Sequence, residues 1–221
     1  MNLLTLIPCR TGSKGIPDKN FRSMCGKALW FHSFLHADAV EKFVNLNEWA
    51  GINTIISTDD CGRFPDNFSC VLIDRPNEFA TDESPIIDTI KDAIEQVERM
   101  TSKHYDGVVL LQPTSPNRSP EDILKCIAMF VQKEGKHGVV SGYLMRIKTK
   151  GTVDNKTKST HFQRNGAIFV IPRENIDKGI ILDGDEYEIE MPKSRSSDID
   201  TEDDWKEAEA MMEYLLRRGE K

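Results

Sequence analysis

The chain has 221 residues, enough for one domain with a sizeable core, so a single domain spanning 1–221 is expected. Its 38% hydrophobic and 29% charged residues suit a globular protein, and its longest apolar runs, GVVLL and GAIFVI, are far too short to cross a membrane. A formal net charge of −7 excludes non-specific attraction to a nucleic-acid backbone, so any phosphate binding has to be local.

The apolar start LLTLI has no basic region ahead of it and runs into a charged loop. It reads as a strand, not a signal peptide, and a cytoplasmic location is expected. Cys9, Cys25, Cys61, Cys70 and Cys126 are odd in number and never form a C-x-x-C pair, so reduced thiols are expected, with neither a disulfide framework nor a zinc site. In WFHSFLHADAV, His32 and His36 share a helix face, but no acidic residue follows in the metalloprotease pattern and a packed helix is the simpler reading.

Further strands are expected at NTIIST, CVLID, GVVLLQ, GVVSGYL, AIFVI and YEIEM. Between them, SPIIDTIKDAIEQVERM places Ile86, Ile87, Ile90, Ala93, Ile94 and Val97 along one face, with Ser84 expected as N-cap and Pro85 at the first helical position. A second helix starts at Ser119-Pro120 and is expected to end at Gly135; a third runs from Thr201 to Gly219 with acidic residues first and basic ones last. The stretch 148–163 is polar and aperiodic and reads as a long loop or exposed hairpin. Strands alternating with helices predict an α/β fold with a mostly parallel sheet.

Two segments carry chemistry. RTGSKGIPDKN follows the first strand, where a glycine-containing loop offers unpaired backbone N–H groups and Arg10, Lys14 and Lys19 add positive charge. It matches neither the P-loop nor the three-glycine dinucleotide pattern, and an ordinary turn with solvated lysines is the competing reading. In SSDID near the other end, Asp198 and Asp200 are two apart and point the same way if the segment is extended, which suits one Mg²⁺ ion; a helix cap at Asp200 and Thr201 is the alternative. Together they point to a nucleoside triphosphate reaction assisted by a divalent cation.

Four blocks, IPCRTGSKGIPDKNFR, ISTDD with RPNEFATD, LLQPTSPNR, and NGAIFV with SSDIDTEDDW, resemble in order and spacing the acylneuraminate cytidylyltransferases, the CMP-sialic acid synthetase family. The resemblance implies a three-layer, Rossmann-like nucleotide-diphospho-sugar transferase fold, with a small dimerisation excursion at about 173–195 and a homodimer. It implies transfer of CMP from CTP to the anomeric hydroxyl of a nonulosonic or related 2-keto-3-deoxy sugar acid, with release of pyrophosphate. Arg10, Gly12, Ser13, Lys14 and Lys19 would then hold the triphosphate, with Asn20, Ala80, Thr81 and Asp82 near the nucleoside. Gln112, Asn165 and Arg164 would face the sugar acid, and Asp198 and Asp200 would hold Mg²⁺. Lys19, Arg10 and Asp200 would be the catalytic groups, Asp200 as one candidate proton acceptor.

The sequence departs from the family at Thr11, at Arg164 and in the missing H-P-x-K after VVSGYLMR. Arg146, Lys148, Lys150 and Arg164 are therefore candidates for meeting the sugar carboxylate, with solvated charges as the alternative reading. Other readings are a different nucleotide or acid, a glycosyltransferase using D-x-D, or a nucleotide-binding module without turnover.

Overall fold

A computed structural model of the chain describes residues 1–147 and 159–219. In chain order the elements are strand β1 (Asn2–Pro8), a short hairpin β2 (Ser23–Met24) and β3 (Lys27–Ala28), helix α1 (Leu29–Leu46), β4 (Gly51–Thr58), β5 (Val71–Asp74), α2 (Ile86–Thr101) and β6 (Gly107–Leu110). Then come α3 (Pro120–Gln132), β7 (Val139–Ile147), β8 (Ser159–Pro172), α4 (Arg173–Lys178), β9 (Tyr187–Glu190) and α5 (Glu202–Arg218). All seven strands expected from the sequence form, and they make one sheet in the order β5-β4-β1-β6-β8-β7-β9. Every neighbouring pair is parallel except those of β8, which runs against both β6 and β7.

Side chains alternate across β1, so Leu3 and Ile7 enter one core while Leu4 and Leu6 enter the other. The first core packs α1 and α3 on one face of the sheet; the second packs α2 and α4 on the opposite face. This is the three-layer α/β arrangement. Helix α5 lies outside those layers, where Trp205, Ala208 and Met212 close a third cluster with Ile16, Met24, Leu29 and Ile199.

The chain goes from β1 outward through β4 and β5, then returns to place β6 on the other side of β1. The carboxyl ends of β1 and β6 therefore flank the point at which strand order reverses, where α/β sheets open a crevice. The β1 exit leads into the basic loop and the β6 exit into LQPTSPNR.

Helix starts are set by local chemistry. Ser119 and Asp122 form a reciprocal capping box on α3, as do Thr201 and Asp204 on α5. At α2 the sequence reading needs correction: Pro85 is the cap residue, and Ser84 instead donates its hydroxyl to the Glu78 carbonyl at 2.6 Å. Helix α3 stops at Gln132, before Gly135, whose N–H bonds back to the Phe130 carbonyl at 3.0 Å in a positive-φ turn. Of the stretch 148–163 read as a loop, 159–163 belongs to β8, and 148–158 lies outside the described residues. In the segment 173–195, α4 packs on the second core and β9 pairs with β7 from Val139↔Tyr187 to Gly142↔Glu190.

Candidate active site

Beyond Pro8 the chain keeps one ladder bond, Cys9 N–H to the Ser57 carbonyl at 2.8 Å, and then turns away. Thr11 fixes that turn: its amide and hydroxyl donate to the two oxygens of Asp59 at 2.8 and 2.7 Å. Asn20 reaches back to the Arg10 carbonyl at 2.9 Å, closing the loop on itself. The resulting cavity, about 210 Å³, is lined by Arg10, Gly12, Ser13, Lys19 and Asn20 from the loop, by Arg75 and Ile86, and by Gln112, Pro113 and Thr114 beyond β6. Three cations thus face one small cavity at the switch point. Arg75 is buried, held by Ser57 through its Nε at 3.0 Å and its Nη2 at 2.8 Å, and burial lowers its guanidinium to about 10.

The acidic segment near the other end of the chain is bonded to two residues that line this cavity, Thr114 and Lys19. Ile199 N–H bonds to the Thr114 carbonyl at 3.0 Å and its side chain is fully buried, so the flanking Asp198 and Asp200 turn away from the core. Lys19 crosses from the loop to donate to the Ile199 carbonyl at 2.5 Å, with Asp200 at 3.4 Å. Gly15 is indispensable to this approach, because a Cβ there would collide with the Asp200 carbonyl oxygen. Burial and the neighbouring Asp200 raise the Asp198 carboxyl above its ordinary value, against the opposing pull of Thr114 and Lys19. Among the described residues no three His, Cys, Asp or Glu side chains gather to hold a metal alone. Two adjacent carboxylates do supply the hard oxygen donors that Mg²⁺ takes when phosphates and water complete its shell.

A family model described as cytidylyltransferase matches residues 4–214. The chain belongs to the cytidylyltransferase family. It is 29% identical to a CMP-N,N'-diacetyllegionaminic acid synthase of Legionella pneumophila, over 96% of this chain and 97% of that one. It is 27% identical to an N-acylneuraminate cytidylyltransferase of Streptococcus agalactiae over 93% of this chain and 52% of that one, so it spans about half the length of that relative. In fold it is similar to a CMP:2-keto-3-deoxy-manno-octonic acid synthetase solved in complex with CTP, with a TM-score of 0.70, 15% identity and coverage of 97% and 99% of the two chains.

Within this cytidylyltransferase, Arg10, Gly12, Ser13 and Lys19, expected at the triphosphate, line one cavity together with Asn20, which was expected near the nucleoside. Lys14 and the segment 80–82 take another place. Arg10 bonds to the Asp82 carboxylate and, at 3.4 Å, to the Ala80 carbonyl; Lys14 pairs with Glu83 at 2.6 Å and Asp82 at 3.5 Å; Thr81 shares a hydroxyl contact with Ser84. Gln112, expected at the sugar acid, lines the cavity with the basic loop. Asn165 is buried and fully engaged, its Oδ1 accepting from Ser141 and Ala167 and its Nδ2 donating to Ser196 at 2.9 Å, so it fastens β8 to the acidic segment. Arg164 pairs with Glu186 at 2.9 Å, is 44% exposed, and does not line this cavity. Lys148 and Lys150 lie outside the described residues.

Sequence reasoning missed Arg75 and Arg118. Arg75 directly follows CVLID, a strand's carboxyl end, which is the signal that could have found it. Arg118 is wholly buried, donating to Ser33 at 3.2 Å and to the Gln112 carbonyl, and burial lowers it to about 9; no pattern in the sequence distinguishes it from a surface arginine.

Proposed function

We propose that this chain transfers CMP from CTP to the anomeric hydroxyl of a nonulosonic or related 2-keto-3-deoxy sugar acid. The hydroxyl oxygen bonds to the α-phosphorus, the bridge to the β-phosphate breaks, its electron pair leaves with pyrophosphate, and the hydroxyl proton passes to a base. The observation that carries the reading is the closure of the basic loop onto the Ile199–Asp200 backbone around a cavity with three cations. Arg10, Lys19 and Arg75 would neutralise charge building on the leaving pyrophosphate. Asp198 and Asp200 would hold Mg²⁺, which would supply charge stabilisation at the phosphates. Asp200, 79% exposed beside Lys19, is the candidate proton acceptor.

The names of the relatives support a sugar acid as acceptor, since one is a CMP-legionaminic acid synthase and another an N-acylneuraminate cytidylyltransferase. A cytoplasmic location is proposed on the five cysteines, none of which is joined in a disulfide. A homodimer is proposed through the 173–195 segment, whose β9 leaves one sheet edge open, with sedimentation as its test. The function is tested by incubating the protein and Mg²⁺ with CTP, UTP, ATP or GTP and a panel of sugar acids, reading pyrophosphate. Release is expected with CTP and a sugar acid together; release independent of the acid, or an equal response to all four nucleotides, overturns the reading.

A further inference from the structure

A second cavity, about 440 Å³, has Asp198 in its wall. The walls of the two cavities are tied by one backbone bond, since Thr114 lines the first, Asp198 lines the second, and Ile199 N–H bonds to the Thr114 carbonyl. Tyr143 of β7, Lys193, Ser197, Asn117 and Glu207 form much of its wall. A volume of this size suits a monosaccharide-sized ligand.

Its chemistry is selective. Among the described lining residues Lys193 is the one cation, and its Nζ stands 5.9 Å from the Tyr143 ring centroid. The other basic groups nearby are committed: Arg195 grips both oxygens of Asp122 at 2.8 Å, and Arg164 pairs with Glu186. Asn117 is fully buried; its Nδ2 donates to the Ala208 carbonyl at 3.0 Å, which leaves Oδ1 as an acceptor with no partner. Ser197 Oγ is likewise buried and unpartnered. Buried acceptors and hydroxyls left open in this way cost stability unless something satisfies them. The wall therefore offers a cation, an aromatic face and open hydrogen-bonding atoms beside Asp198.

We propose that this cavity is the acceptor subsite and that Lys193 is its carboxylate anchor, with the sugar ring against Tyr143 and a hydroxyl or acylamino N–H donated to Asn117 Oδ1. The proposal rests on the sugar-acid reading above. In a 2-keto-3-deoxy sugar acid the carboxylate is borne by the anomeric carbon itself, so its anchor must stand beside the reacting hydroxyl. Lys193 meets that demand by sharing one cavity with Asp198. Glu207 on the same wall accepts hydroxyls and repels a second anionic group, favouring an acid with one carboxylate and a polyol or acylamino tail.

The test compares wild type, Lys193→Ala, Lys193→Arg and Tyr143→Ala with N-acetylneuraminic acid, N,N'-diacetyllegionaminic acid and 2-keto-3-deoxy-manno-octonic acid, each as free acid and methyl ester. Lys193→Ala should raise the acid's KM about tenfold or more, leave the KM for CTP within about twofold, and abolish discrimination against the ester; Lys193→Arg should restore most of it. An unchanged acid KM, or ester discrimination that persists without Lys193, overturns the assignment. If no acid is turned over, calorimetry of each acid into the CTP-loaded protein decides. Binding lost in Lys193→Ala supports the subsite and no binding overturns it, whereas failure of wild type to bind CTP removes the underlying reading instead.

Discussion

Arg10 and Asp82 meet in a charge-assisted hydrogen bond across 72 residues of sequence, and Lys14 reaches Glu83 beside them. Arg10 and Lys14 are thus held by the acidic segment that follows Ala80, and a triphosphate has to take Arg10 from Asp82. Arg10 holds the Asp82 carboxyl below its ordinary value, so the competing charge persists through the neutral range. Asp82→Asn should therefore tighten binding of inorganic tripolyphosphate by roughly threefold, and the gain should shrink at high salt because the groups are solvent-accessible. Titration calorimetry at low and high salt checks this; weaker binding in the variant would instead make Asp82 a ligand contact.

Gly15 allows the basic loop to lie directly on the Asp200 carbonyl. Gly15→Ala forces those backbones apart and separates Lys19 from the acidic segment. Since misplacement of about 1 Å costs on the order of 10²-fold in rate, kcat/KM for CTP-dependent pyrophosphate release should fall by about that factor. Gly12→Ala is the comparison, because a Cβ there meets only Arg10 Nη1 at 3.9 Å and pushes no backbone apart, so its loss should be clearly smaller. Equal losses in both variants would show that the loop needs flexibility and not the close approach.

Asp122 joins two functional elements by capping α3 and accepting both Arg195 bonds just ahead of Asp198. Burial pushes its carboxyl up, but Arg195 and the Ser119 N–H outweigh that and hold it below the ordinary value. A depressed folded-state value means that its stabilisation is present above the unfolded carboxylate range and is lost as pH falls through the lower folded value. Asp122→Asn should cost roughly 3 kcal/mol at neutral pH, as breaking a buried pair does, and much less at strongly acid pH. Urea midpoints at neutral and acid pH check the convergence; parallel losses at both would assign the cost to packing.

The alternation of short apolar runs with capped helices made the layers and all seven sheet strands readable, because strand and helix periods are local properties. The reversed direction of β8 was not readable, since AIFVI looks the same whichever way it pairs. Trp205 and Tyr214 both fall near the apolar stripe of α5, yet Tyr214 is exposed near Arg218 while Trp205 packs beneath Arg22; helical spacing gives a stripe but not its partner. At the site, the loop residues were legible because charge and glycine cluster within eleven positions of RTGSKGIPDKN. The Arg10–Asp82 pairing, the burial of Arg75 and Arg118, and the full engagement of Asn165 arise from contacts between distant segments, which composition and spacing do not encode.

Asp198 lines the second cavity, and its carboxyl is crowded by burial and by Asp200. Without a cation that arrangement opposes folding, since a desolvated carboxylate beside another is unfavourable, and such strain is common where a protein keeps groups for function. Asp198→Asn removes one charge at nearly constant volume. It should raise the melting temperature of the nucleotide-free protein by roughly 2 °C while abolishing Mg²⁺-dependent pyrophosphate release. Added Mg²⁺ should stabilise wild type, which has both carboxylates, and leave the variant unmoved, because a ligand that binds only the folded state raises its melting point. Thermal melts with and without Mg²⁺, run beside the release assay, measure both. A variant that melts lower and still responds to Mg²⁺ would place the cation elsewhere and make Asp198 a structural carboxylate.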